Sequence, residues 1–246
     1  MIARALLLAA AASAPAMAHA ADLRVLTTGA YKAVIVALAP AIEQEMGHKL
    51  LIENDTAGVV ARRVRASEAF DLVVLPPSNA QSLGALIGPA TPLARVGIGI
   101  AVKAGAPAPD VSTPEAVRAA VLAARAPAWI DPAAGGSSGI YMGKLFETWG
   151  IATQLAPKAV LVQGGLVADK IASGQADIGF QQLSELRVVP GVAVVGLLPA
   201  AIQNYTVYAG ALPANSPHPA AAAAVLTWLA GPKSGAVLTE KGLERP

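Results

Sequence analysis

Short β-branched and leucine-rich runs alternate along the chain with longer alanine-rich stretches of helical period, which predicts an α/β fold built on mostly parallel strands. Residues 23–26 read as a first strand, 31–46 as a helix stopped by Gly47, 49–52 as a second strand, 57–68 as a second helix and 71–75 as a third strand. Pro76 and Pro77 end that strand, and Ser78 stands where it would cap a helix running to residue 86. Two later runs, 96–102 and 205–212, are long and rich in β-forming residues, and a self-contained αβ block lies between them. The block opens on Ser112-Thr113-Pro114-Glu115, which joins a capping box to a proline in the first helical turn. It continues as helix 116–125, strand 128–130, helix 139–149 before Gly150, strand 160–162, helix 166–173 before Gly174, and strand 177–180. Helices over 219–229 and 233–240 follow. The pattern therefore predicts two lobes: residues 22–100 with 206–246 form lobe 1 and residues 101–205 form lobe 2. The chain leaves lobe 1 at one long run and returns at the other.

The first twenty residues stand apart from this pattern. Arg4, an apolar run over 5–12, Pro15 and Ala18-His19-Ala20 read as a signal peptide over 1–20, cleaved near Ala20, with export to the periplasm. The apolar run is shorter than the ~20 residues that span hydrocarbon, which argues against an anchor. Composition narrows the classes further. A 246-residue chain that is 54% hydrophobic is too apolar to be disordered, and the absence of cysteine excludes a zinc finger or disulfide scaffold. Eighteen Lys and Arg against sixteen Asp and Glu leave a net charge of only +2, and 4% aromatic content leaves few rings for base stacking. A nucleic-acid partner is not expected from such a surface.

Candidate chemistry sits at helix starts. Asp131-Pro132-Ala133-Ala134-Gly135-Gly136-Ser137-Ser138-Gly139 joins a strand to a helix, and its free N–H groups, two hydroxyls and glycines make a neutral trap for an anion. The same loop satisfies G-x-S-x-G through Gly135, Ser137 and Gly139, but a hydrolase would need a base, and only His48 and His218 remain after leader removal. Those two scattered histidines also offer no transition-metal site, and no cofactor is expected. Thr27-Thr28-Gly29 and Thr56-Ala57-Gly58 each end a strand and open a helix, at the sheet edge where open α/β folds bind ligands. Gly97 and Gly99 lie inside a strand pattern and do not form a dinucleotide fingerprint.

These segments resemble the periplasmic solute-binding proteins of the molybdate-binding type, over essentially the whole chain after the leader. The likeness is carried by Thr27-Thr28-Gly29, the stretch from Thr56 into Phe70-Asp71-Leu72-Val73-Val74, the loop from Asp131-Pro132 to Ser138-Gly139-Ile140-Tyr141, and Gly174-Gln175-Ala176-Asp177-Ile178-Gly179-Phe180. It implies the two-lobed type II periplasmic-binding-protein fold, each lobe a mostly parallel sheet flanked by helices, with a two-strand hinge and a ligand clamped between the lobes. Carried over by position, Thr27, Thr28, Gly29, Thr56, Ala57, Ser137, Ser138, Gly139, Gly164, Gly165 before Leu166, Gln181 and Gln182 face that ligand. The molybdate binders carry a tyrosine hydroxyl where this chain has Gln181-Gln182. An amide donates or accepts whereas a tetrahedral dianion takes donors only, so the expected ligand shifts towards a small organic acid. The resemblance implies a monomer that hands a small anion to the membrane permease of an ABC transporter. It also implies an alternative, because some relatives look like aconitate isomerase, which moves a proton between carbons of a tricarboxylate. That chemistry needs a base, for which Lys32, Glu185 and Tyr31 stand near ligand-facing ends.

Overall fold

The computed structural model describes residues 21–246, so the leader expected over 1–20 lies outside the described residues. β1 (Asp22–Thr28) runs into α1 (Gly29–Met46), then β2 (Lys49–Asp55), α2 (Ala57–Arg65) and β3 (Leu72–Leu75). Both β2 and β3 lie parallel to β1, as helical crossovers require. Gly47 ends α1 in the left-handed region at φ 73°, and Thr56 caps α2 by accepting the Val59 N–H. α3 (Pro77–Leu83) departs from expectation: it starts before Ser78, with Pro76 at its cap position and no side-chain cap. Pro77 presets the first helical φ and has no N–H to satisfy, so the helix begins without the serine. A 3-10 turn, Gly84–Leu86, finishes the segment.

β4 (Thr91–Lys103) follows, thirteen residues long, and begins earlier than expected because a register shift between Pro92 and Ala94 absorbs the proline. Next come α4 (Pro114–Ala123), β5 (Pro127–Ile130), α5 (Ser137–Thr148), α6 (Ala152–Leu155), β6 (Val160–Val162) and α7 (Val167–Ala172). The chain then forms β7 (Ile178–Gln182), α8 (Leu183–Leu186), β8 (Val192–Leu197), β9 (Tyr205–Ala211), α9 (Pro219–Ala230) and α10 (Gly235–Glu240). Thr113 caps α4 through the Ala116 N–H, as its capping box foretells. α6, α8 and β8 have no counterpart in the sequence reading. The two helices span one turn each, too short to show a period, and β8 is a half-buried strand paired only with β4.

The strands pair in the order β2-β1-β3-β9-β4-β7-β5-β6, with β8 also on β4. β4 is the element common to both ends. Its residues 91–97 pair antiparallel with β9, and Ile98 to Lys103 pair with β7 and β8. At the change of partner the Gln203 side chain takes the place of a peptide group: its Oε1 accepts the Ile98 N–H at 2.9 Å and its Nε2 donates to the Ile98 carbonyl at 3.1 Å. Buried apolar residues divide in the same way. One cluster joins α1, β1, the start of β4, β9 and the last two helices, and another joins Ile98, Ile100 and Val102 to α4, α5 and β7. Leu183 of α8 belongs to the first cluster, although Phe180 before it lies in the second and Leu186 after it in a further one. Among the described residues no single helix is long and apolar enough to cross a membrane.

Candidate functional site

A cleft of about 650 Å³ opens where three helix starts converge: α1 after Thr28, α2 after Thr56 and α5 after Gly136. Each helix follows a parallel strand, so its unpaired N–H groups lie at the carboxyl edge of the sheet. Thr28, Gly29, Thr56, Ala57, Ser137, Ser138, Gly164, Gly165, Gln181 and Gln182 all line the cleft. Thr27 and Gly139 do not. Successive strand residues point to opposite faces, and the fully buried Thr27 turns its hydroxyl to the Thr28 carbonyl at 3.3 Å. Gly139 serves packing, since a Cβ there would collide with the Ile130 carbonyl and lift α5 off β5.

The polar groups divide into those already engaged and those left open. Gln181 is engaged: its Oε1 accepts the Val167 N–H at 2.7 Å and its Nε2 donates to Gly165 at 3.1 Å, which fixes the start of α7. Thr56 is engaged too, donating to the Ala134 carbonyl at 2.6 Å beside a second bond from the Gly58 N–H to Gly135 at 3.1 Å. Those two bonds tie α2 to the turn before α5. By contrast, the Thr28 hydroxyl and Gln182 Oε1 are buried with no partner in the protein, while Gln182 Nε2 donates to Thr206. Each free atom lies on a residue of the cleft wall, one able to donate and the other only to accept.

Three ionisable groups were candidates for a base. Tyr31 is sealed in the first apolar cluster and is absent from the cleft wall; burial pushes its phenol well above the usual range. Lys32 lines the cleft and is exposed. Glu185 also lines it, its carboxyl set against Gly29 at the start of α1, where any side chain would collide with Oε1. Burial pushes the Glu185 carboxyl up to about 8, against a smaller opposing effect from the Gln181 amide. Tyr208, on β9, completes this corner and escaped the sequence reading, because strand alternation marks an inward position without separating core from cleft. Burial and then the Glu185 charge raise its phenol far above the ordinary value, so it keeps its proton.

The hydrolase alternative finds no support in the geometry. His218 precedes α9 and places Nδ1 3.0 Å from Asp71, a buried carboxylate that also accepts the Arg24 N–H at 2.9 Å. It is absent from the wall that holds Ser137. Among the described residues no three His, Cys, Asp or Glu side chains gather as a metal site.

Comparison with known proteins places the chain. Residues 23–244 match the model of a family described as bacterial extracellular solute-binding protein. A Pseudomonas protein named aconitate isomerase is 35% identical over 233 residues, covering 90% of this chain and 87% of that protein. The periplasmic molybdate-binding protein of Azotobacter vinelandii superposes with a TM-score of 0.75 at 19% identity, over 91% of this chain and 99% of that one. PEB3 of Campylobacter jejuni, solved with L-phospholactate bound, gives 0.69 at 12% identity, over 92% of this chain and all of the other. The shared fold is the type II periplasmic-binding-protein arrangement, and at these identities the solved structures speak for the fold alone.

Proposed function

The chain belongs to the bacterial extracellular solute-binding proteins, and from that premise we propose that its cleft captures a small organic anion bearing carboxylates. In this reading the leader over 1–20 is removed, and the periplasmic protein acts as a monomer that delivers its ligand to an ABC permease. Residues 22–100 with 206–246 move as one lobe and 101–205 as the other, with the ligand held by Thr28, Ser137, Ser138 and the helix-start amides. The observation that carries the reading is the pair of open atoms on the wall, the Thr28 hydroxyl and Gln182 Oε1. An unpartnered acceptor on a wall residue disfavours molybdate, whose oxygens accept only, and suits an acid with donor and acceptor groups.

Thermal-shift and calorimetric screening of di- and tricarboxylates against molybdate and tungstate tests this. A ligand at 100 times its Kd adds about 2.7 kcal/mol to stability, so carboxylates should raise the melting temperature clearly above the oxyanions. Tight molybdate binding without a carboxylate response would reverse the assignment. Ser138→Ala should cost about 1.5 to 3 kcal/mol of affinity, the loss of one donor to a charged ligand, with the fold retained; unchanged affinity would remove the α5 start from the site.

A second reading is isomerisation of a tricarboxylate, as the name of the Pseudomonas relative describes for that protein. The observation favouring it is the Glu185 carboxyl in the cleft wall, whose raised pKa suits it to accept and return a proton near neutral pH. Incubation with cis- or trans-aconitate, followed by chromatography, decides the matter: conversion lost in Glu185→Gln supports turnover, and binding without conversion supports capture alone.

A further inference from the structure

A carboxyl group is out of place among donors arranged for an anion. Thr28, Ser137, Ser138 and Lys32 line the same cleft, yet Glu185 sets its carboxyl among them, against Gly29 at the start of α1. Ionised, it would stand close to any bound carboxylate, and in a partly dry site that repulsion weakens binding by orders of magnitude. No cation relieves it, because among the described residues Glu185 takes part in no ion pair. Packing around α8 makes the position deliberate. Leu183 is buried in the apolar cluster of α1, and Ser184 Oγ donates to the Ala30 carbonyl at 2.8 Å, so the chain is fixed at both residues directly before Glu185.

We propose that Glu185 enters the cleft as a neutral carboxylic acid and donates a hydrogen bond to a carboxylate of the ligand, so that capture is linked to one proton. This rests on the capture reading and adds the group that selects within it: a carboxylate oxygen is basic enough to share the proton, whereas an oxyanion of a strong acid is a poorer partner. The other groups of the wall and its neighbours are these. β7 presents only the amides of Gln181 and Gln182, β9 presents Tyr208, whose phenol keeps its proton, and α1 presents Lys32 on its exposed face. β2 contributes Asp55 to the wall, and Arg187, just after α8, is exposed and reaches towards Gly242 instead. Burial holds the empty-cleft carboxyl at about 8, and a bound anion raises it further. The sign follows: below that value both states carry the proton and affinity is flat, and above it binding must take up a proton, so affinity falls.

The test is calorimetric titration with succinate, citrate and propane-1,2,3-tricarboxylate from about pH 7.5 to about pH 9.5, in buffers of different ionisation heat. For whichever binds, Kd should rise roughly twentyfold across that range, with net proton uptake approaching one at the alkaline end. Glu185→Gln should flatten its own profile, and Gly29→Ala, which drives the carboxyl from its seat, should shrink the slope. A flat wild-type profile without proton uptake overturns the proposal while leaving capture standing. Failure of every carboxylate to bind at any pH overturns both.

Discussion

Two seams join the walls of the cleft, and they are built from opposite materials. Between α2 and the turn before α5, contact runs to the backbone of the turn: the Thr56 hydroxyl and the Gly58 N–H donate to its carbonyls, and a Cβ added at Gly135 would lie only 3.0 Å from the Gly58 Cα. Between α8 and α1, contact is made by side chains, with Leu183 in the core, Ser184 bonded to Ala30 and Glu185 over Gly29. Separating the first seam exchanges two hydrogen bonds for bonds to water, at about 1 kcal/mol each. Separating the second pulls a leucine out of a packed core and also breaks the Ser184 bond, which costs about twice as much. Any opening of the cleft between the two proposed lobes is therefore expected at the α2 seam, with the α8 seam shut.

The largest test of that contrast is Leu183→Ala. It should lower global stability by about 3 kcal/mol, roughly 6 to 12 °C in melting temperature; a loss below a third of that would mean α8 is not anchored. Gly135→Val comes next. It places a β-branched side chain at φ 76° and against Gly58, so ligand affinity should fall about a hundredfold while the fold persists. Small-angle scattering should show the free and ligand-mixed variant equally open, and unchanged affinity would remove the α2 seam from the closed state.

Glu185→Gln probes the α8 seam through pH. Because folding raises this carboxyl from 4.5 to about 8, the folded state binds the extra proton. Its stability is fully present below the lower value and is lost as pH rises through the upper one. The wild type should therefore lose stability relative to the variant between about pH 5 and pH 9, read by calorimetry. Parallel profiles would mean that the carboxyl stays hydrated. Thr56→Val should have the smallest effect, about 2 kcal/mol, because it removes both the bond to Ala134 and the cap of α2. It should weaken affinity more than Ser184→Ala does; the reverse order would exchange the roles of the two seams.

The fold was legible wherever local chemistry and long-range packing agree. Gly47 and Gly150 stop helices in the left-handed region, and Thr113 caps where its box predicts, because each effect is settled within one turn. The run from Leu183 to Leu197 was not legible: one helical turn, a proline and an edge strand leave no period, and what fixes them is contact with α1 and β4. The site shows the same division. Helix-start hydroxyls announce themselves through strand-to-helix junctions, which is why Thr28, Ser137 and Ser138 could be named. Which of two adjacent residues faces inward depends on pleat, and the sequence reading left Thr27 and Thr28 together. Tyr208 carries no junction signal, since it lies mid-strand with an ordinary alternating pattern. Gln181 illustrates the limit of chemical reasoning from residue type: its amide suits a ligand, but both ends are committed to the backbone around α7.

The Gln203 amide, which completes the pairing of Ile98 where β9 gives way to β8, bears on how such a molecule can flex. A strand shared by two sheets carries a weak point where its partner changes: here the Ile98 carbonyl still accepts the Leu198 N–H at 2.9 Å, but the Ile98 N–H is left to the Gln203 amide. Filling that gap with another strand would make the joint rigid, and leaving it open would admit water or the edge of a second molecule. An amide at the end of a side chain with three free torsions does neither. It can follow Ile98 through a change of angle and keep both bonds, so bending at this point strains a tether instead of rupturing a ladder.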